Sequence, residues 1–392
     1  MNPFEKRREF LPFSRPTIGQ QEIDEVLDSL HSGWITTGPK VVRLEQMFSE
    51  WSEGQQAIAV NSATAGLHLA IETLNLSPGD EVITSPITWP STVNVIEHCK
   101  AVPVFADVDI NTLQIDPESI SGKITTKTRA VVPVHFAGAP VDLDPIRDIC
   151  EDKGLALIED AAHAVGTEYK KRLIGMDSQV AVFSFHPIKN MTTGEGGMIL
   201  CNNPDIAERM RRLRFHGISR DAWKRYAKGG LPQYEVYEPG FKYNMLDLQA
   251  AIGIHQFQKL SYFNHRRYLL AMNYLKLLKG LSEIIPLGEI PYPHVHAWHL
   301  FVVRLDIDHL NITRDEFILA LQEYNIGVGL HFPAVHLQHY YKNKYGYRPG
   351  DIPNAEWNSE RIFSLPLYPS LTETDQEYVV EVLNRLVNKF KR

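Results

Sequence analysis

The stretch QAIAVNSATAGLHLA, residues 56–70, reads as a strand, a short polar turn and the first part of a helix. Its apolar residues up to Val60 predict a buried strand, and the helix is expected to begin near Ala65. The hydroxyls of Ser62 and Thr64 and the first N–H groups of that helix would then face whatever lies over its N-terminus, as in an anion site. An ordinary Ser/Thr helix cap has the same sequence, so this motif alone leaves both interpretations open.

This alternation of apolar runs and helical stretches continues to about residue 200. Further strands are predicted in DEVITSP (80–86), VPVFADV (102–108), RAVVPVHF (129–136) and LALIEDAA (155–162). Such a series is typical of βα units around a mostly parallel sheet, which is an α/β fold. The runs QVAVFSF (179–185) and GGMILCN (196–202) are predicted to pair as a hairpin at the edge of that sheet.

The last third of the chain has a different pattern. A long helix is predicted near residues 265–281, then a strand in HAWHLFVVRLD (296–306), a helix from Thr313 and a terminal helix after Thr372. These elements are enough for a small α+β domain. We therefore expect a large domain over residues 1–260 and a small C-terminal domain over residues 261–392.

Composition excludes some classes of function. The 392 residues carry a formal net charge of −7 without a block of basic residues, which argues against a nucleic-acid partner. Neither a signal peptide nor a membrane-spanning segment is visible in the sequence. The three cysteines are widely spaced and follow no disulfide or metal pattern, so a cytoplasmic protein is predicted.

Two other strand ends carry side chains that suggest a cofactor. Asp160, in IEDAAHAVG (158–166), ends an apolar strand, and a buried acid is costly unless it faces a cation. The protonated ring nitrogen of pyridoxal phosphate (PLP) is such a cation, although a helix-capping aspartate is the alternative. Trp89, in SPITWPSTVN (85–94), could stack on a flat ring or belong to the core.

A single lysine, Lys189, follows the next strand in SFHPIKNMTTGEGG (184–197). Burial can lower the pKa of a lysine so far that its amine loses its proton near neutral pH. Such an amine can bond to an aldehyde and later transfer a proton. An anion cradle, a stacking ring, a carboxylate and an amine would meet at the carboxyl edge of one sheet, where open α/β sheets bind their ligands. Together they are the contacts that PLP requires, and Ser184 could add a hydroxyl to its phosphate.

Several motifs resemble a known family in order and over nearly the whole chain. NSATAGLHLA (61–70), VPVHFAGAPVDLDPI (132–146), IEDAAHAVG and FKYNMLDLQAAIG (241–253) are similar to the DegT/DnrJ/EryC1/StrS sugar-nucleotide aminotransferases. The resemblance implies the PLP-dependent transferase fold type I, which is aspartate aminotransferase-like, and a homodimer with active sites built across its interface. It also implies a nucleotide-linked keto sugar as substrate and glutamate, converted to 2-oxoglutarate, as amino donor.

The resemblance also implies roles for individual residues. Lys189 would be the lysine that forms a Schiff base with the cofactor, Asp160 the partner of its ring nitrogen, and His163 a neighbour of the ring. Some members carry histidine at the lysine position and deoxygenate their substrate, so lysine here favours transamination. The remaining implied cofactor contacts are phosphate contacts at Thr64, Ala65 and Ser184, the stacking ring of Trp89, and Asn244, which would reach the phosphate in the other subunit.

A narrower resemblance concerns both ends of the chain. LPFSRPTIGQQEI (11–23), SGWITTGPK (32–40) and GVGLHFPAVHLQHYY (327–341) are similar to the family branch that makes UDP-4-amino-4-deoxy-L-arabinose from a UDP-4-keto-pentose for lipid A modification. The sequence of the turn NMTTGEGG (190–197), however, is similar to the version found across the broad family rather than to that of the pentose branch. C4 or C3 amination of a keto-6-deoxyhexose nucleotide therefore remains an alternative, and a PLP-binding regulator without catalysis is the alternative of another class.

Other polar residues have weaker assignments. The resemblance makes His331, Arg15, Thr36 and Thr37 candidate contacts of the substrate. His294, His296 and His299 lie in HVHAWH (294–299), where alternate positions of a strand would share a face. The acidic or thiol ligands typical of a metal site are missing there, so no metal is predicted.

Overall fold

The computed structural model describes residues 5–218 and 234–392. The polar, Gly- and Pro-containing stretch 216–240, whose sequence predicts a long loop with a role in function or at an interface, lies largely outside these residues. The described helices are α1 (Gln20–Ser32), α2 (Pro39–Trp51), α3 (Ala63–Glu72), α4 (Pro90–His98), α5 (Pro117–Lys123), α6 (Leu143–Lys153), α7 (Pro204–Leu213), α8 (Asp247–Gln258), α9 (Leu260–Leu277), α10 (Arg314–Glu323), α11 (His339–Tyr345), α12 (Pro353–Ser359) and α13 (Glu373–Phe390). The described strands are β1 (Gln56–Val60), β2 (Glu81–Thr84), β3 (Val102–Phe105), β4 (Thr128–Val132), β5 (Ala156–Asp160), β6 (Glu168–Tyr169), β7 (Arg172–Leu173), β8 (Val180–Ser184), β9 (Gly197–Cys201), β10 (Ile284–Pro286), β11 (His294–Val295), β12 (Phe301–Leu305) and β13 (Ile362–Leu365).

Seven strands form the central sheet in the order β1-β9-β8-β5-β4-β2-β3. Only β9 runs against the others, because it pairs antiparallel with both β1 and β8. The predicted mostly parallel sheet is confirmed, and so is the β8–β9 hairpin. The prediction that this hairpin forms the sheet's edge is wrong: β9 is buried along its whole length, and β1 pairs with all five of its residues.

Helix α3 lies close against this sheet. Ser62 caps it by accepting a hydrogen bond from the backbone N–H of Ala65, so the helix begins at Ala63, two residues earlier than predicted. Gly66 allows the close approach, because a Cβ atom there would lie 2.6 Å from a methyl carbon of Val182. The turn before α3 is thereby held against β8, the strand that leads to Lys189.

The C-terminal part has its own antiparallel sheet, β10-β12-β13, which packs with α9, α10 and α13 around a second apolar core. Capping boxes at Thr313 and Thr372 begin α10 and α13, as predicted. The N-terminal segment joins this part, since Leu11 bridges Ile326. None of the helices in the described residues is long and apolar enough to cross a membrane.

The predicted strand at residues 296–306 is wrong in its first half, because β12 begins only at Phe301. The residues before it form a loop in which Trp298 has a positive φ of 48°. The backbone N–H groups of Ala297 and Leu300 donate to the carbonyls of Gly138 and Ala137. These bonds hold the loop near the end of the central sheet, so the residues of HVHAWH (294–299) do not form one continuous strand.

Candidate active site

A cavity of about 450 Å³ lies at the carboxyl ends of the parallel strands. Polypeptide that follows β1, β2, β5 and β8 contributes to it, and a C-terminal segment closes one side. A larger cavity of about 1070 Å³ beside α9 contains neither Lys189 nor Asp160. The predicted site residues that line the smaller cavity are Thr64, Trp89, Asp160, His163, Ser184, Lys189 and His331.

Lys189 is delivered by the turn that joins β8 to β9. Its backbone N–H donates to the carbonyl of His186, and the N–H of Phe185 donates to the carbonyl of Gly196, which closes the base of the turn. Burial lowers the pKa of Lys189 to about 7, and the nearby charge of Asp160 opposes this shift. A large fraction of the amine is therefore neutral near neutral pH, which is what a nucleophile and proton carrier requires.

Asp160 ends β5 and is 4% exposed. Burial raises the pKa of its carboxyl group, while hydrogen bonds from Thr92 Oγ1 (2.7 Å) and the backbone N–H of Ala162 (3.1 Å) work in the opposite direction. The carboxylate is therefore oriented by two donors, and among the described residues it forms no ion pair with a cationic partner. A cationic ring in the cavity would supply that partner.

Three histidines surround the lysine. The ring centre of His163 lies 4.4 Å from that of His299, and the backbone N–H of Ala137 donates to Nδ1 of His163. Burial holds the pKa of His163 and that of His299 well below the ordinary value, and it lowers the pKa of His331 to about 3. All three are neutral imidazoles, so they can act as hydrogen-bond partners without adding positive charge beside Lys189.

His299 lies beside Lys189, although the sequence predicted it only as a residue of a strand. Its Nε2 atom lies 3.5 Å from Nζ of Lys189, and its Nδ1 atom is buried without a hydrogen-bond partner among the described residues. From sequence, the motif HVHAWH (294–299) indicates at most a metal pattern and no contact with Lys189. In the structure His296 stacks on Trp298, with ring centres 4.0 Å apart, and His294 lies in β11, so the three rings do not converge.

The anion end of the cavity is formed by the turn before α3. Thr64 is exposed and lines the cavity together with Ser62 and the backbone of Ala63, and Ser184 faces it from the end of β8. Ala65 does not line the cavity, and its backbone N–H donates to Ser62 Oγ at 3.1 Å. Ser62 thus forms the ordinary helix cap that was one interpretation of this motif. The hydroxyls of Thr64 and Ser184 also border the cavity beside the N-terminus of α3, and a phosphate site there stays a prediction.

Trp89 stands at the cavity mouth with 62% of its surface exposed. Its ring centre lies 6.0 Å from that of Phe332. The alternative that it belongs to the core is wrong, because it precedes α4 as the cap residue and projects from the sheet edge. An exposed indole at this mouth is suited to cover a flat ring.

Asn244 and Thr37 lie together but do not line the cavity. Nδ2 of Asn244 donates to Thr37 Oγ1 at 2.6 Å, and Lys242 Nζ donates to Oδ1 of Asn244, also at 2.6 Å. Arg15 and Thr36 are exposed and are likewise outside the cavity lining. These four predicted residues therefore lie outside the lining of the chain's own cavity, and the role of Asn244 toward a second subunit stays a prediction.

The residues present fit PLP. The cavity combines a buried carboxylate that forms no ion pair among the described residues, an amine of lowered pKa and a helix N-terminus beside the hydroxyls of Thr64 and Ser184. Asp160 would hold the ring nitrogen, Ser62, Thr64 and Ser184 would hold the phosphate, and Lys189 would bond to the aldehyde. This donor set matches both the charge and the chemistry of the cofactor.

Comparison with known proteins agrees with this geometry. A model of the DegT/DnrJ/EryC1/StrS aminotransferase family matches residues 16–384. A protein described as a sugar aminotransferase, Spr1654 from Streptococcus pneumoniae in its PLP form, is similar at 31% identity over 97% of this chain and 99% of that one, with a TM-score of 0.90. DesV of S. venezuelae is 33% identical over 93% of each chain, with a TM-score of 0.84.

A third solved structure extends the comparison. Helicobacter pylori PseC, an aminotransferase involved in the biosynthesis of pseudoaminic acid, is 25% identical over 98% of this chain and all of that one, with a TM-score of 0.88. These matches confirm the predicted fold class, enzyme class and cofactor.

Proposed function

The chain belongs to the DegT/DnrJ/EryC1/StrS aminotransferase family and is a PLP-dependent aminotransferase, and on this premise we propose that it aminates C4 of a nucleotide-linked keto sugar. The proposed donor is glutamate. The proposed acceptor is UDP-4-keto-pentose, which would give UDP-4-amino-4-deoxy-L-arabinose for lipid A modification. The observation that carries the chemistry is the buried pair of Lys189 and Asp160 in one cavity.

PLP, when bound, supplies an aldehyde that bonds reversibly to amines and a cationic ring that accepts electrons from the reacting carbon. The chain's residues supply proton transfer and charge. Lys189 takes the proton from Cα of the donor in one half-reaction and delivers a proton to C4 of the sugar in the other. Asp160, oriented by Thr92 and Ala162, would hold the ring nitrogen and favour positive charge on it.

The acceptor would be held by the segments from both ends of the chain. Ser14 Oγ donates to the carbonyl of Ile188 at 3.5 Å, so the N-terminal segment lies beside the lysine turn. His331 lines the cavity and is oriented by Ser364, whose Oγ lies 2.9 Å from its Nδ1. These are the segments in which the narrower resemblance to the pentose branch was found, which supports the proposed sugar.

Amination of a 4-keto-6-deoxyhexose nucleotide, at C4 or C3, is the second candidate. It is supported by the lysine turn, which matches the broad family. A pentose and a deoxyhexose differ by about one carbon, which pocket packing distinguishes by roughly 10- to 200-fold. The decisive experiment compares kcat/KM for UDP-4-keto-pentose with kcat/KM for UDP- and dTDP-4-keto-6-deoxyhexoses, using glutamate as donor.

The control for that comparison is the glutamate half-reaction, followed by the change in cofactor absorption without any sugar. A preference for the pentose of at least about tenfold supports the proposed acceptor. A preference for a deoxyhexose replaces it with the second candidate. If glutamate converts the cofactor but no keto sugar is aminated, the proposed class of acceptor is wrong while the aminotransferase assignment stands.

A cytoplasmic homodimer with shared active sites completes the proposal. Asn244 and Thr37 are bonded to each other outside the chain's own cavity, and α1 exposes an apolar stripe of Ile23, Leu27 and Leu30 that a second copy could cover. Lys189→Ala and Asn244→Ala variants are each expected to be inactive as pure proteins. Refolding them together is expected to restore activity, because each mixed dimer contains one intact site. Absence of recovery, with mixed dimers shown by native mass spectrometry, would contradict sharing.

A further inference from the structure

A second group of chemically active side chains lies away from the cavity lining. His68 and Glu72 are one helical turn apart on α3, and Cys99 follows the end of α4. One potential ligand atom from each lies within 4.8 Å of the other two. We propose that His68, Glu72 and Cys99 form a binding site for a thiophilic divalent cation, with Zn²⁺ as the favoured ion.

The local geometry is close to that of a bound ion. Zinc bonds to nitrogen, oxygen and sulfur of about 2.0–2.3 Å place neighbouring tetrahedral ligands roughly 3.3–3.8 Å apart. Sγ of Cys99 already lies 3.5 Å from Oε2 of Glu72. The i, i+4 spacing of His68 and Glu72 puts both side chains on one face of α3. Because the three ligand atoms lie within 4.8 Å of one another, closing the site to this spacing requires side-chain movements of about 1 Å.

The combination of ligands selects the type of metal. Magnesium and calcium take oxygen ligands, whereas a thiolate with an imidazole and a carboxylate suits zinc. Glu72 and Cys99 are partly exposed, so an ion can reach them from solvent. His98 is exposed beside the cluster, with its ring centre 5.9 Å from that of His68, and it or a water molecule completes the coordination.

Tyr243 supports the site from behind. Its hydroxyl oxygen lies 3.0 Å from Nδ1 of His68. With the metal on Nε2, the Nδ1–H group donates to this phenol, which fixes the tautomer and the ring orientation as outer partners of metal-bound histidines do. The ion would therefore link α3 directly to the end of α4. Through the bond between His68 and Tyr243 it would also stabilise the segment that carries Asn244.

The test is binding of Co²⁺ and Zn²⁺ to the chelator-treated holoenzyme. Co²⁺ bound to wild-type protein is expected to give a thiolate charge-transfer band in the difference spectrum. Added Zn²⁺ is expected to displace the Co²⁺ and remove the band. Cys99→Ser should abolish that band and weaken Zn²⁺ binding by at least about 100-fold, while Tyr243→Phe should weaken it by about 10- to 100-fold. Cys150→Ser is the matched control, because it removes a thiol on the buried side of α6, in the core.

The two cysteine variants distinguish the proposed site from background binding of the metal. Wild-type protein that binds neither ion overturns the proposal. So does equal Co²⁺ binding by wild type and Cys99→Ser, since the cofactor or surface groups would then hold the ion. A charge-transfer band that is lost in Cys150→Ser but kept in Cys99→Ser would place the metal elsewhere and would also contradict it.

Discussion

Nζ of Lys189 lies 3.5 Å from Nε2 of His299, a histidine more than a hundred residues away in sequence. His299 is 2% exposed, and burial together with the charge of Lys189 holds its pKa well below the ordinary value. The imidazole beside the amine is therefore neutral, and its lone pair can accept a hydrogen bond from Lys189. His299 can therefore influence the protonation of Lys189 while remaining uncharged itself.

Replacing His299 by leucine should lower the pKa of Lys189, because a hydrogen-bond acceptor stabilises the charged amine more than the neutral one. The pH midpoint for covalent uptake of PLP by cofactor-free protein should then move to lower pH, and kcat should fall roughly tenfold, which corresponds to about 1.4 kcal/mol. His296→Leu is the control, since His296 stacks on Trp298 instead. An unchanged midpoint in His299→Leu would show that the contact has no effect on the lysine.

Lys189 itself should set the pH dependence of cofactor uptake in the wild type. Burial lowers its pKa to about 7, and only the neutral amine attacks an aldehyde. The rate should therefore rise with pH through about 7 and level off above it, whereas an ordinary lysine would still be rising near its reference pKa of about 10.4. Borohydride reduction followed by peptide mass spectrometry should locate the adduct on Lys189, and Lys189→Ala should lack it. A midpoint near that reference value would contradict the prediction.

Removing the charge of Asp160 should be far more harmful than removing one of its hydrogen bonds. Asp160→Asn is expected to reduce kcat by at least about 100-fold and to weaken PLP binding, because the cationic ring loses its partner. Thr92→Val keeps the carboxylate but removes the 2.7 Å bond from Thr92 Oγ1, so a loss of only about tenfold is expected, in line with a net bond energy near 1 kcal/mol. Equal losses in the two variants would mean that orientation matters rather than charge. Cofactor affinity by equilibrium dialysis and kcat decide between them.

His331 offers a test that separates the two half-reactions. Because it lines the cavity from a C-terminal segment and is neutral, its loss should affect the sugar more than the amino donor. His331→Ala is expected to raise KM for the keto sugar by about five- to tenfold, the worth of one hydrogen bond. The rate of the glutamate half-reaction should stay within about twofold, a difference near the thermal energy. A matching loss in both half-reactions would place His331 at the cofactor instead.

The features readable from the sequence were those encoded locally. Strand-ending motifs predicted Asp160 and Lys189, and the parallel sheet then brought both to one edge. What escaped prediction depends on distant backbone contacts. The apolar residues before Phe301 suggested a longer strand, but hydrogen bonds to Ala137 and Gly138 bend that segment into a loop and place His299 at the lysine.

The sheet edge was missed for a related reason. The β8–β9 hairpin is local in sequence, and its pairing could be predicted from two apolar runs joined by a turn. The strand that covers β9 is β1, which lies more than a hundred residues earlier in the chain, and no local pattern indicates which strand pairs there. The bond between Asn244 and Thr37 also joins distant segments, so only the family resemblance pointed to either residue.

Arg267, on α9, holds the loop that carries His299, and its loss should therefore affect both stability and the lysine. Its Nη1 group donates to the carbonyls of Trp298, His299 and Leu367, while the side chain is 1% exposed. Arg267→Met leaves three carbonyls without this donor, and at about 1 kcal/mol for each lost bond it should lower the free energy of unfolding by about 2–4 kcal/mol. Arg266→Met, at the neighbouring and less buried position, should cost less than about 0.5 kcal/mol in urea unfolding.

Because the freed loop can move His299 away from Lys189, the midpoint for PLP uptake in Arg267→Met should shift in the same direction as in His299→Leu. A destabilised variant with an unchanged midpoint would show that Arg267 supports the fold but does not position His299.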